Sequence, residues 1–196
     1  GAAGRDLRGL RRVILIKQLF HCQRPGADPA RAHRFDLGGP VFPGAVTAVD
    51  AGDLPCDPAD PAGARALIGR AVGQVLDAGA VPLLLGGDDS VPLPMLGAFG
   101  GRGRRFTILQ IDAHIDWRDE VQGERLGLSS TMRRASEMAH VRRIVQVGAR
   151  GIGSARPSDL AEAREWGAEF VPARELAEGG IARALSLIPS GGAVAV

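Results

Sequence analysis

The sequence predicts an α/β fold, a three-layer α/β/α arrangement with a mainly parallel sheet. Three observations predict it. Segments of strand length recur along the 196 residues, at Val81 to Leu85, Phe106 to Ile111 and Val141 to Val147. Segments with helical spacing of apolar residues separate them, and such alternation is what a parallel sheet requires. The run Val81 to Leu85 is apolar throughout, as expected of a strand covered on both faces. One domain over residues 1–196 is expected, with 1–40 as an atypical N-terminal segment.

Before residue 59 the pattern is irregular. Val13-Ile14-Leu15-Ile16 has strand length, Pro and Gly punctuate residues 26–44, Val46 to Val49 reads as a strand, and Asp50 to Pro58 reads as a loop. Order begins at Asp60, an N-cap followed by Pro61 at the first helical position. Leu67, Ala71, Val75 and Leu76 repeat at helical spacing, and Gly79 stands where a glycine cap belongs. After the strand at 81–85, a helix from Ser90 towards Phe99 must hold Pro92 and Pro94 in its first turn. Gly100 to Arg105 reads as a solvated loop. The remaining order is strand 106–111, helix 131–138, strand 141–147, helix 157–166, strand 168–171, helix 181–188 and the start of a strand at 193–196. The sequence opens at Gly1 and stops inside that last strand, so a sheet incomplete at the C-terminus is expected.

Hydrophobic residues make up 45% and charged residues 23%, a balance that supports a packed core and excludes a disordered chain. No apolar run reaches the about 18 residues needed to cross a bilayer, so no membrane partner is expected. No signal-peptide pattern surrounds residues 13–16. Two cysteines, Cys22 and Cys56, are too few for a disulfide scaffold, which predicts a reducing, cytoplasmic setting. The net charge of +2 conceals an asymmetry: residues 1–34 hold eight basic and two acidic side chains. That arm lacks the interleaved aromatic residues of a base-stacking surface, so no nucleic-acid partner is expected.

Ligands of such sheets bind beyond the carboxyl ends of the strands. Three of those ends are suggestive here. The first carries Gly86-Gly87-Asp88-Asp89-Ser90, whose glycines permit either a tight turn or a close backbone approach. The second carries Asp112-Ala113-His114-Ile115-Asp116-Trp117-Arg118. If the strand persists to residue 116, its period of two puts Asp112, His114 and Asp116 on one face. Two carboxylates and an imidazole converging there call for a cation. An oxygen-rich donor set with a little nitrogen suits Mn2+ best, and Asp89 is a candidate further ligand. The alternative is a solvated acidic turn with a capping Asp. The third end, Gly148 to Gly153, lacks the spacing of a dinucleotide fingerprint. Ser129-Ser130 lies in a polar loop without an assigned base, which argues against a serine hydrolase.

The first two motifs together resemble the ureohydrolase superfamily of arginase and agmatinase, over roughly residues 65–196 and closest to its agmatinase branch. Gly86 to Ser90 looks like that family's Gly-Gly-Asp-His-Ser motif. Asp112 to Asp116 matches its Asp-Ala-His-x-Asp motif in full, and Arg133-Arg134-Ala135 resembles the tail of its substrate-loop segment. The resemblance implies an arginase-like fold, a binuclear Mn2+ cluster and a homo-oligomer, trimer or hexamer. It implies that Asp112 bridges both ions, that Asp116 binds one and His114 the other, with Asp89 at the place of the family's first histidine ligand. Asp112 and His114 are then the catalytic candidates. Trp117 and Arg118 stand where substrate-contacting side chains emerge, Arg118 either as the partner of a substrate carboxylate or in a structural salt bridge.

The implied activity is hydrolysis of a C–N bond in a linear guanidino compound with release of urea. The paired metal would activate water and stabilise the tetrahedral transition state. Four departures stand beside this. Asp89 replaces the family's first histidine ligand, Leu128 falls at its loop histidine, its later Asp-x-Asp ligand pair is not within residues 1–196, and its opening strand and substrate-side glycine loop are not recognisable before residue 40. They leave room for a second reading, a non-catalytic family member that acts through oligomerisation. Another carboxylate-bound metal hydrolase, such as a phosphatase, would explain the 112/114/116 triplet but not the combined motifs.

Overall fold

The computed structural model describes residues 12–17, 33–34, 39–40, 47–189 and 193–195, with side chains over 49–189. The expectations for the basic arm, His21, Cys22, Gly26, Pro29, Gly38, Pro43, Gly44 and Val46 lie outside these residues. Two compact units divide the chain, Gly1–Ala98 and Phe99–Val196.

The first unit contains β1 (Arg12–Lys17), β2 (His33–Arg34), β3 (Gly39–Pro40), β4 (Thr47–Asp53), α1 (Pro61–Asp77), β5 (Val81–Leu85) and α2 (Pro92–Ala98). Its main sheet has the order β4-β1-β5, all parallel. β2 and β3 form a short antiparallel pair. β4 runs to Asp53 rather than yielding to a loop at Asp50, because its pairing continues past a register shift to Lys17↔Asp53.

α1 is delimited as its sequence requires. The Asp60 carboxylate accepts the Gly63 N–H at 2.9 Å, and Pro61 occupies the first turn. At the other end Gly79 takes φ +70°, and the N–H groups of Gly79 and Ala80 donate to Leu76 and Val75. That pairing is a Schellman closure. The buried stripe is Ile68, Val72 and Val75, packed with Ala80 and Val91. Its centre lies one residue beyond the expected Leu67–Ala71 start, following the i, i+4, i+7 rule from Ile68. In β5 Leu84 faces this cluster, whereas Leu83 and Leu85 point the other way and are exposed. The expectation of a strand covered on both faces is therefore corrected for β5. In α2 both prolines fall in the first turn, as expected.

The second unit contains β6 (Phe106–Ile111), α3 (Thr131–Ser136), β7 (Val141–Val147), α4 (Pro157–Trp166), β8 (Glu169–Val171), a helical turn α5 (Ala173–Glu175), α6 (Ile181–Ser186) and β9 (Ala193–Ala195). Its sheet has the order β8-β7-β6-β9, again all parallel. The expected parallel α/β class is what both units show. Along β7, Val145 and Val147 join Val171 and Ala184 in one core cluster. Ile144 and Gln146, at the alternate positions, are buried as well. The second half of β7 is thus covered on both faces.

Ile144 is fully buried and Ile181 is exposed, so the pair tests the packing. Ile144→Ala should cost about 2–5 kcal/mol through the lost contacts and the cavity left behind. Ile181→Ala should stay within about 0.5 kcal/mol. Urea unfolding of both variants checks the contrast.

Candidate metal centre

β6 ends at Ile111, and the next five residues form a turn instead of continuing the strand. The Asp112 N–H still donates to the Val147 carbonyl at 3.0 Å. The Asp112 carboxylate then accepts the His114 N–H at 2.7 Å, an Asx-type turn that redirects the chain. Beyond it the Ala113 carbonyl accepts from Arg150, and the Ile115 N–H donates to Ser154. Asp116 sits at φ +47°, in the left-handed region. Its carbonyl accepts the N–H groups of Met132 and Arg133 at 3.1 and 3.2 Å. Those are early N–H groups of α3, whose N-cap residue Ser130 supplies no side-chain cap.

Period-two alternation therefore does not reach residue 116, and the expected shared face of Asp112, His114 and Asp116 is corrected. The turn brings the two carboxylates together without the imidazole. Ligand oxygens of Asp112 and Asp116 lie within 4.8 Å of each other. The His114 side chain is 60% exposed, and its Nδ1 rests 3.2 Å from the Asp112 carboxylate. Asp116 is buried and its Oδ2 accepts from the Gln110 side-chain amide at 2.6 Å. Asp89 belongs to the other unit. It lies half-buried between β5 and α2, next to Asp88, whose carboxylate accepts the Ser90 N–H at 2.9 Å. Gly86 serves close approach in that turn, since a Cβ there would meet the Val91 side chain at 2.6 Å.

Trp117 is 1% exposed and its ring stacks at a tilt on Trp166, centroids 5.9 Å apart. The expected substrate contact at Trp117 is corrected, because the indole is in the core. The Arg118 guanidinium lies 3.7 Å from the Asp159 carboxylate, which also accepts the Arg156 N–H at the start of α4. Of the two roles open to Arg118, the structure displays the salt bridge. Ser130 is buried rather than exposed in a polar loop, and Leu128 is exposed.

The loop before α3 has its own anchor. Gln122 and Gly123 both take positive φ, and Val121 and Glu124 exchange backbone hydrogen bonds around them. This is the geometry of a two-residue hairpin turn. Arg134 is buried and donates to Asp119 at 2.6 Å, while Arg125 donates to the same oxygen at 3.1 Å. The Arg134 hydrogen bond, helped by the charges of Arg125 and Arg133, holds the Asp119 carboxyl below its usual range.

Two polar residues outside the sequence motifs belong to the site's surroundings, Gln110 in β6 and Gln146 in β7. Both are buried. An amide flanked by apolar residues near the end of each strand was the available signal.

A family model described as the Arginase family matches residues 26–191. A guanidinobutyrase of Pseudomonas aeruginosa is 31% identical over 132 residues, 66% of this chain and 41% of that protein. An agmatinase of Bacillus anthracis is 30% identical over 155 residues, 74% of this chain and 51% of that protein. The chain thus spans about half the length of these relatives, or less. Among solved structures, a formiminoglutamase of Trypanosoma cruzi with Mn2+ superposes with a TM-score of 0.68 at 19% identity, covering 96% of this chain and 69% of that one. The likeness establishes a shared fold.

Two substitutions check this geometry. Gly148 has φ +99°, and a Cβ there would stand 3.1 Å from the Asp112 carbonyl, so Gly148→Ala should destabilise by about 1–3 kcal/mol, measured by thermal unfolding. Asp119 has its folded-state pKa lowered, so its contribution is present above the ordinary carboxylate range and lost as pH falls through the lowered value. Asp119→Asn should be less stable than the parent at pH 7 and converge on it in acid, measured by unfolding across pH.

Proposed function

The chain belongs to the arginase family, and from that premise we propose that the protein hydrolyses a C–N bond of a linear guanidino compound and releases urea, using Mn2+. The observation that carries this reading is the carboxylate pair Asp112 and Asp116 beyond the end of β6, with ligand oxygens within 4.8 Å and Asp116 buried. Two carboxylates at that separation repel and resist burial, and a divalent cation removes both penalties. The donor chemistry fits the ion: carboxylate oxygens, with one imidazole on the same turn, suit Mn2+. The Mn2+ in the formiminoglutamase structure supports the same choice.

When bound, the metal lowers the pKa of water and stabilises the tetrahedral transition state. The chain's own residues supply the ligands and fix them. Asp112 and Asp116 are proposed as ligands on geometry and resemblance together, His114 and Asp89 on the resemblance. The Asp112 main chain is held by Val147, and the Asp116 main chain by the start of α3. Catalytic roles fall to Asp112 and His114. A homo-oligomer, trimer or hexamer, in the cytoplasm is part of the same reading.

The exposed Leu128, at the place of the family's loop histidine, favours the second reading, a non-catalytic member acting through assembly. Metal content by plasma mass spectrometry, with urea release from a panel of guanidino compounds, separates the two. Bound Mn2+ with urea release is the expected result. Asp112→Asn should then lose metal and at least about a hundredfold in turnover, no less than the loss of one oxyanion donor costs. His114→Ala should lose one ion and nearly all turnover, and full activity in that variant overturns its assignment. An oligomer without metal or turnover would leave the second reading standing.

A further inference from the structure

We propose that Gln110 and Gln146 form a buried amide relay that positions the Asp116 carboxylate as a metal ligand. This rests on the proposed Mn2+ site and deepens it. The two glutamines are register partners on adjacent parallel strands, so their side chains leave the sheet on the same face. They are 8% and 1% exposed. The Gln146 amide nitrogen donates to the Gln110 side-chain oxygen and, at 2.7 Å, to the Ile115 carbonyl. The Gln110 amide nitrogen donates in turn to Asp116 Oδ2 at 2.6 Å.

The direction of this chain is forced from its far end. The Ile115 carbonyl can only accept, so the Gln146 nitrogen must face it. That nitrogen then meets the Gln110 oxygen, which turns the Gln110 nitrogen towards Asp116. The carboxylate thereby receives a donor whose orientation neither glutamine can reverse without breaking a buried hydrogen bond. That donor fixes where Asp116 Oδ2 sits. The relay also pins both sides of the last turn: Gln146 holds the Ile115 main chain and Gln110 the Asp116 side chain.

Packing alone does not account for the pair. The Gln146 side-chain oxygen is buried without a hydrogen-bond partner, a cost that leucine or methionine at this position would avoid. An amide at that cost is explained by what its nitrogen directs. Outer-shell hydrogen bonds of this kind orient metal ligands, and their loss typically lowers metal affinity about tenfold to a hundredfold.

The experiment titrates Mn2+ into the full chain and its variants, reading free ion by electron paramagnetic resonance, with the metal-free melting temperature followed in parallel. Gln110→Leu is expected to weaken Mn2+ binding by about tenfold or more, and Gln146→Leu to weaken it in the same direction. Gln146→Leu also carries the test if Gln110→Leu gives no folded protein. The weaker binding that remains in Asp116→Asn is expected to be unmoved by adding Gln110→Leu, a coupling that loss of packing would not produce. Parent-like Mn2+ affinity in folded Gln110→Leu and Gln146→Leu, beside a loss in Asp116→Asn, overturns the relay and leaves the metal site intact. Parent-like affinity in Asp116→Asn overturns both.

Discussion

Asp116 must sit in a left-handed conformation while its carboxylate is buried, and the C-terminal unit is arranged around that requirement. A non-glycine residue at φ +47° is strained by about 1–3 kcal/mol and persists only where its surroundings over-determine it. Here they do. The end of β7 holds Asp112, the 148–154 loop holds Ala113 and Ile115, and α3 closes on the Asp116 carbonyl. The dependence runs in both directions. α3 has six residues and no side-chain cap, so its early N–H groups rely on that carbonyl as much as the turn relies on them.

Charges in this unit are handled in two distinct ways. Around Asp116 a neutral amide, itself held by a second amide, donates within the sheet's covered face. Around Arg134 the buried cation reaches outward to a partly exposed Asp119, which a second arginine also meets. The first arrangement is dry, directional and sensitive to one lost donor. The second is wetter and more redundant, and weaker for being screened. A turn that presents a carboxylate and a loop that only needs anchoring thus receive different kinds of support.

Much of the fold was legible because its signals are local. Asp60, Pro61 and Gly79 each mark an end of α1 through chemistry that depends on a few neighbours, and clustered apolar residues mark β5 and β6. What was not legible depends on where a strand stops. The Asp112 carboxylate captures the His114 N–H and breaks the alternation that would have aligned three ligands on one face. Asp and His at spacing two look identical in a strand and in such a turn. Trp117 was misread for a related reason: one residue past the left-handed Asp116, the chain points back into the core. Gln110 and Gln146 were visible as letters but not as a pair, since their adjacency is created by the β6–β7 register.

The Trp117–Trp166 stack gives the molecule an uneven optical character. The chain has two tryptophans and no tyrosine, and both indoles lie in the C-terminal unit, 5.9 Å apart. The intrinsic tryptophan emitters therefore all lie in that unit, and the Ile68–Val72–Val75 cluster of the other unit contains none. Cys56 packs against that cluster as a free thiol, and its burial pushes the thiol pKa up. Once Cys22 is replaced, the thiol is a probe placed in one unit and the indoles are probes placed in the other.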